Sequence, residues 1–164
     1  MTVSQVEIQR FSLVSRRPMK EILAALDAAV GHPEMNTFSR KIAAAKTSAE
    51  LEQLVGEVVG PTGLMEFARF NMGAVFRLYQ GEGAPQCFRL LVGNPLIMRQ
   101  MAEPVPDAAS YAPVTILIDE RSDGVHLSYD RMTSFLAPYG SSAALRVAQE
   151  LDAKVEKLLA DAAG

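Results

Sequence analysis

The side chains best suited to chemistry lie on two consecutive runs of strand-forming residues. Residues 113–120, the turn 122–124 and residues 125–130 give a strong β-hairpin signal. Side chains alternate along each strand, so a loop of two residues or of four puts the same set on one face. That face would carry a carboxylate, an imidazole and a hydroxyl, from Asp119, His126 and Ser128.

The loop length decides what these groups can do. With a four-residue loop, Asp119 lies directly opposite His126, within reach of an ion pair. Such a pair would raise the pKa of the imidazole into the physiological range, where it suits general acid–base catalysis or a polar ligand. A three-residue loop would reverse the faces and exclude this arrangement. The alternative is a solvated or dimer-facing sheet surface with incidental polar residues.

A second motif lies where the strand at 86–93 ends in Gly93-Asn94-Pro95 and a short helix at 96–102 follows. Asn94 suits the N-cap position and Pro95 the first helical position. A helix N-terminus favours an anion, but no Lys or Ser/Thr follows at P-loop spacing, so the corner is interpreted mainly as scaffold.

The alternation of the 86–93 strand separates a core face from an outer face. We expect Phe88, Leu90 and Val92 in the core, which leaves Arg89 on the outer face with Cys87 and Leu91. The candidate acid–base residues are thus Asp119 and His126, and the candidate ligand-binding residues are Asp119, His126, Ser128, Asn94 and Arg89.

Composition excludes several classes of function. The single cysteine, Cys87, rules out an intrachain disulfide or a CxxC pair, and the two histidines, His32 and His126, form no metal-binding motif, so we predict neither a metal site nor a cofactor. A net charge of -3 argues against nucleic-acid binding. No apolar run reaches the length of a membrane span, and the first residues lack signal-peptide features; the expectation is a cytoplasmic protein without membrane contact.

The remaining elements follow from periodicity and caps. Alternation predicts a first strand over 3–14. Helical spacing predicts helices over 18–30 and 33–46, and Thr47 with Glu50 forms a capping box that begins a third helix ending at Gly60-Pro61. Residues 64–72 and 74–80 look like strands, although the second segment also fits a short helix. A short helical piece after residue 130 and a long amphipathic helix capped by Ser141 or Ser142 complete the chain.

Three blocks together carry a family resemblance: LLVGNPLIM (90–98), PVTILIDE (113–120) and GVHLSYD (124–130). In order and spacing they resemble the bacterial domain-of-unknown-function 302 family. The resemblance implies an α+β fold, a mainly antiparallel sheet of about four to six strands with helices on one face and a TATA-binding-protein-like topology. It implies architecture and no mechanism. Relative to that pattern, residues 32–61 are interpreted as a helical insertion within a single domain, 1–164.

Two functions fit these observations. The first is a non-enzymatic module that binds a small-molecule ligand or a protein partner on its open sheet face or edge and forms a homodimer. The second is an enzyme that uses Asp119 and His126 on a small polar substrate.

Overall fold

The computed structural model describes residues 1, 3 and 5–164. That part of the chain forms an α+β structure, as predicted, and no helix in it has the length and apolarity to cross a membrane. In chain order the elements are β1 (Arg10–Ser15), α1 (Met19–Ala29), α2 (Met35–Ala44), α3 (Ser48–Val58), β2 (Met65–Asn71), α4 (Met72–Gln80), β3 (Cys87–Gly93), α5 (Pro95–Ala102), α6 (Ala108–Tyr111), β4 (Val114–Arg121), β5 (Gly124–Asp130), α7 (Met132–Leu136), a 3-10 turn (Ala137–Tyr139) and α8 (Ser142–Ala163).

The five strands form one antiparallel sheet in the order β1-β5-β4-β3-β2. Arg121 pairs with Gly124, so the predicted hairpin closes through the two residues Ser122 and Asp123. Its register nevertheless places Asp119 opposite His126. This is the register expected for a four-residue loop, and the additional pair of Arg121 with Gly124 shortens the loop to two residues. The predicted division of the hairpin into two faces is therefore confirmed.

One face of the sheet is covered by α1, α5 and α8, and the apolar core lies between these helices and the strands. The alternation of β3 predicted its core face correctly for Leu90 and Val92, which are 1% exposed, and Phe88 packs against the same core. The hairpin residues that share this core are Ile116, Ile118, Val125, Leu127 and Tyr129.

The N-caps of α3 and α8 are the residues predicted from the sequence. Thr47 accepts a hydrogen bond from the backbone N–H of Glu50 (3.2 Å) and so caps α3 as predicted. The return bond of the predicted capping box is shifted by one residue, because the Glu50 carboxylate accepts from the N–H of Lys46 (2.6 Å). Ser141 caps α8 through the N–H of Ala144. Each cap satisfies backbone donors that an isolated helix end leaves without partners.

Two predicted elements differ in the structure. The first strand begins at Arg10 rather than residue 3, and residue 4 of that prediction lies outside the described residues. The segment 74–80 belongs to the helix α4, because the Asn71 side chain accepts from the Ala74 N–H (3.0 Å) and so begins a helix directly after β2.

Candidate functional site

The face of the sheet opposite the helices carries a mixed polar and apolar surface. Register pairing places Arg89, Leu117 and Ser128 side by side across β3, β4 and β5. Leu91 pairs with Thr115 in the next row toward the start of β4. Leu91, Leu117 and Ser128 are half-buried, whereas Arg89 and Thr115 are exposed. This surface is therefore accessible yet partly apolar.

A cleft of about 650 Å³ lies on this face, and we call it the open-face cleft. Its volume is in the range of small-molecule sites, which combine apolar walls with a few polar groups. The cleft runs along β4 from Pro113 to Leu117, with walls from the ends of α6 and α7 and polar groups from the flanking strands. The side chains used in the following argument are Arg10, Arg89, Tyr111, Thr115, Ser128 and Phe135.

Both ends of the cleft have distinct chemistry. Near the start of β4, Tyr111 stacks on Phe135 with ring centres 4.8 Å apart, and its hydroxyl lies 3.1 Å from that of Tyr139. Arg10 forms a two-point ion pair with Asp130, with N–O distances of 2.6 and 2.9 Å. The aromatic pair gives an apolar wall, and the ion pair is a neutral polar wall.

Arg89 is the charged group at the other end. Its guanidinium carbon lies 6.0 Å from the ring centre of Phe70, at the outer limit of a cation–π contact. Among the described residues it has no ion-pair partner and no side-chain hydrogen bond. The guanidinium donors are therefore available to a ligand in the cleft.

Asp119 and His126 share a row on the open face, but the ion pair predicted between them is not formed. Asp119 accepts from Arg121 Nε (2.6 Å), and His126 Nε2 lies 2.8 Å from an Asp123 oxygen. The hydrogen bond from His126 keeps the pKa of Asp123 below its ordinary value. The short loop brings Arg121 within reach of Asp119 and Asp123 within reach of His126. Each of the two predicted partners is therefore bonded to a nearer residue instead.

Cys87 completes this row, since it pairs with Asp119, which pairs with His126. A thiol, a carboxylate and an imidazole on neighbouring strands suggest nucleophilic catalysis, but the order of strands separates the thiol from the imidazole by two strand spacings, about 10 Å. Burial and, secondarily, the Asp119 charge raise the pKa of the Cys87 thiol. Both effects keep the thiol protonated and weakly nucleophilic.

Asn94 acts as scaffold at its corner. Its side-chain oxygen accepts from the Leu96 N–H (2.8 Å), which caps α5, and its amide nitrogen donates to the Gly63 carbonyl (2.9 Å). With both ends engaged, the side chain holds the corner against the loop before β2. Of the candidate ligand-binding residues, the structure thus brings Arg89 and Ser128 into the open-face cleft and leaves Asn94, Asp119 and His126 outside its lining.

A cluster that the sequence did not reveal joins α1 to β2. Ligand atoms of Asp27, His32 and Glu66 lie within 4.8 Å of one another. Arg69 donates to both carboxylates, including a 2.6 Å contact with Glu66. Because the Arg69 guanidinium already bonds both carboxylates and offsets one of their two charges, the cluster works as an ion-pair network that fixes β2 against α1. Most of its members are far apart in sequence, up to 42 residues for Asp27 and Arg69, so no sequence pattern indicated the cluster.

The comparisons with known proteins agree with this architecture. Fold and site define a class: an α+β protein with helices on one face of an antiparallel sheet and a cleft on the other. The model of the family "Domain of unknown function DUF302" matches residues 39–162, and the chain belongs to that family. The resemblance predicted from three short blocks is thereby confirmed.

A solved structure supports the fold. The chain is similar to an uncharacterized conserved DUF302 protein from Bacillus stearothermophilus, with a TM-score of 0.63 and 10% identity over 93% of this chain and 97% of that one. No curated protein matches the chain. The family match includes residues 39–61, so most of the segment interpreted as an insertion lies inside the matched range, which gives that interpretation no support.

Proposed function

We propose that this protein is a non-enzymatic binding module that holds a small molecule in the open-face cleft. The observation that carries the proposal is a cleft of about 650 Å³ on the helix-free face whose lining includes Arg89, a guanidinium without a partner in the described chain. An apolar concave surface with a few unengaged polar groups is the usual form of a ligand site.

Catalysis by Asp119 and His126 is the alternative, and the geometry favours it less. A general base must lie within hydrogen-bond reach of the proton that it removes, through an atom that is free to accept it. Asp119 is bonded to Arg121 and His126 to Asp123. Neither side chain lines the open-face cleft, so a ligand bound there would lie away from both groups.

A melting screen tests the binding proposal. The full-length protein is heated with a library of small anionic, neutral and cationic compounds, and we expect at least one to raise the melting temperature, because a ligand that binds only the folded state stabilises it. Perturbed NMR amide signals should then map to β4 and β5 near Thr115 and Ser128. A protein that no compound stabilises would contradict the proposal.

A pair of matched variants locates the site. Thr115→Trp places a large ring at the centre of the cleft and should abolish the stabilisation by a compound found in the screen. Val14→Trp adds the same ring at a position that is 53% exposed on the same sheet face but outside the lining, and should leave binding intact. Equal effects of the two variants would place the ligand elsewhere.

We also propose that the module is a homodimer, through a surface that we call the α4 patch. Met72, Val75, Leu78 and Tyr79 follow helical i, i+3 and i+4 spacing and are 38% to 86% exposed. Arg77 is the only charged residue of α4, so two copies of this face can meet without like-charge repulsion. Such an apolar stripe is complementary to its own copy across a two-fold axis.

The size of the α4 patch fits this role. Four large side chains with these exposures present apolar surface on the order of 400 Å², which is the size of the largest apolar patch on a typical monomer, a patch that is often functional. A standard dimer interface buries about 800 Å² per partner, with its apolar centre surrounded by polar residues. The α4 patch therefore supplies the centre of such an interface.

A further inference from the structure

We infer that the ligand of the open-face cleft is an elongated amphipathic monocarboxylate, bound with its carboxylate at Arg89 and its apolar chain toward Tyr111 and Phe135. This inference rests on the proposed binding function and names the class of ligand. It follows from the charge of the lining, from the position of the apolar wall and from the length of the cleft.

The charge of the lining favours one negative group. Arg10 is neutralised by the two-point pair with Asp130, so Arg89 supplies the net charge of the lining, one positive unit. The chain as a whole carries -3, so this positive spot is local and does not reflect a basic surface. A guanidinium presents a planar fork of donors that matches a carboxylate in a two-point contact.

The apolar part of the ligand has its own surface. From Arg89 toward the start of β4, Leu117 and Leu91 form the floor, and the stacked Tyr111 and Phe135 close the far end. Leu117 is the register partner of Arg89, so the charged end lies beside residue 117 of β4. The ligand body thus rests on side chains that gain from losing contact with water.

The strand register also gives the length of the open-face cleft. Pro113, next to the aromatic end, and Leu117, next to Arg89, are four residues apart on one strand, which corresponds to about 13 Å. The Ser128 hydroxyl lies in the same row as Arg89 and Leu117, at the charged end, and Thr115 lies midway between the two ends. A chain of several methylenes with a terminal carboxylate spans this distance, whereas a compact polar anion would leave the aromatic wall empty.

Calorimetric titration of the full-length protein with octanoate tests the inference. Octanoate should bind, 1-octanol and octylamine should bind at least about tenfold more weakly, and shortening the chain from octanoate to hexanoate should weaken binding about fourfold for each methylene lost. Arg89→Gln should weaken octanoate binding by about tenfold or more, and Arg89→Lys should retain part of it. Arg99→Gln, an exposed change on α5 outside the cleft, should have no effect.

The outcomes separate this inference from the proposed function. If octanoate fails to bind but a neutral or cationic compound from the melting screen binds in a Thr115→Trp-sensitive way, the ligand class is wrong and the binding function stands. If octanoate binds equally well to Arg89→Gln, the placement of its carboxylate at Arg89 is wrong, and the binding function stands only if Thr115→Trp abolishes that binding. If no compound of any charge binds, both the inference and the proposed function are wrong.

Discussion

Asp152 shows how one buried side chain holds three elements together. Its Oδ1 accepts from the Tyr129 hydroxyl (2.6 Å) and the Met132 N–H (2.8 Å), and its Oδ2 accepts from the N–H and the hydroxyl of Thr133 (3.2 and 2.6 Å). Burial, with the Asp152 charge as a second cause, raises the pKa of Tyr129, so the phenol stays a donor. The carboxylate of α8 thus joins the end of β5 to the first turn of α7.

Replacing this carboxylate should destabilise the protein. In Asp152→Asn one oxygen becomes an amide nitrogen that donates, so in either orientation of the amide one backbone N–H, that of Met132 or that of Thr133, loses its carboxylate acceptor. We expect a loss of about 2 kcal/mol in the free energy of unfolding, the range for buried hydrogen bonds to a charged group. Urea unfolding followed by circular dichroism measures it through the midpoint.

Asp161→Asn on the same helix is the matched control. Asp161 is 65% exposed, and within residues 1, 3 and 5–164 its one ion pair is with Lys157, so its loss should change the unfolding free energy by less than about 0.5 kcal/mol. Equal midpoints for the two variants would show that the four hydrogen bonds of Asp152 do not contribute to stability.

At the scale of elements, local chemistry predicted most of the fold. The strands β3, β4 and β5 and the helices α1, α3 and α8 follow from alternation, periodicity and caps. The segment 74–80 was ambiguous because its apolar residues suit a strand and a helix equally, and the cap from Asn71 decides the outcome. β1 begins at Arg10 because its pairing partner β5 ends at Asp130, the residue opposite Arg10.

The cleft was less predictable than the fold. Strand alternation placed Arg89 and Ser128 on the correct face, since that depends only on residues near in sequence. Arg10, Tyr111 and Phe135 reach the cleft from β1, α6 and α7, which only the tertiary structure brings to one side of the sheet. Asp119 and His126 were placed in the right register, but the short loop supplied each with a nearer partner.

The connection before α2 and the end of α3 approach each other closely at Gly31. A Cβ at this position would lie 1.7 Å from the carbonyl oxygen of Val58, and the backbone of Gly31 is fixed by hydrogen bonds with Leu64 and Glu66. We expect Gly31→Ala to lower the free energy of unfolding by about 3 kcal/mol, because backbone must move to accept the methyl group. Chemical denaturation measures the change.

The opposite sign is expected at Gly56, in the last turn of α3. A Cβ there meets no atom within 4 Å, so Gly56→Ala should stabilise the protein by about 0.5–1 kcal/mol through the helix propensity of alanine. Comparing the two variants distinguishes the steric requirement for glycine at position 31 from the general effect of replacing a glycine by alanine. A neutral or stabilising Gly31→Ala would contradict the close approach at that position.

At the scale of the molecule, the two faces of the sheet have different roles. One face of the sheet is committed to the core, and the other is left for the open-face cleft. The α4 patch begins at Met72, two residues after Phe70, whose ring lies beside Arg89. The surface proposed for dimerisation therefore follows directly in sequence from a residue at the edge of the cleft.

The dimer is tested by mass in solution. Light scattering on the eluting protein should give twice the chain mass of 17.8 kDa. Leu78→Asp should give a monomer, because Leu78 is 83% exposed within the α4 patch and a charge buried there by dimerisation has no partner. Ala153→Asp, an exposed change on α8, adds the same charge outside the patch and should stay dimeric. A monomeric parent protein, or a Leu78→Asp variant that remains dimeric, would remove the α4 patch as the interface.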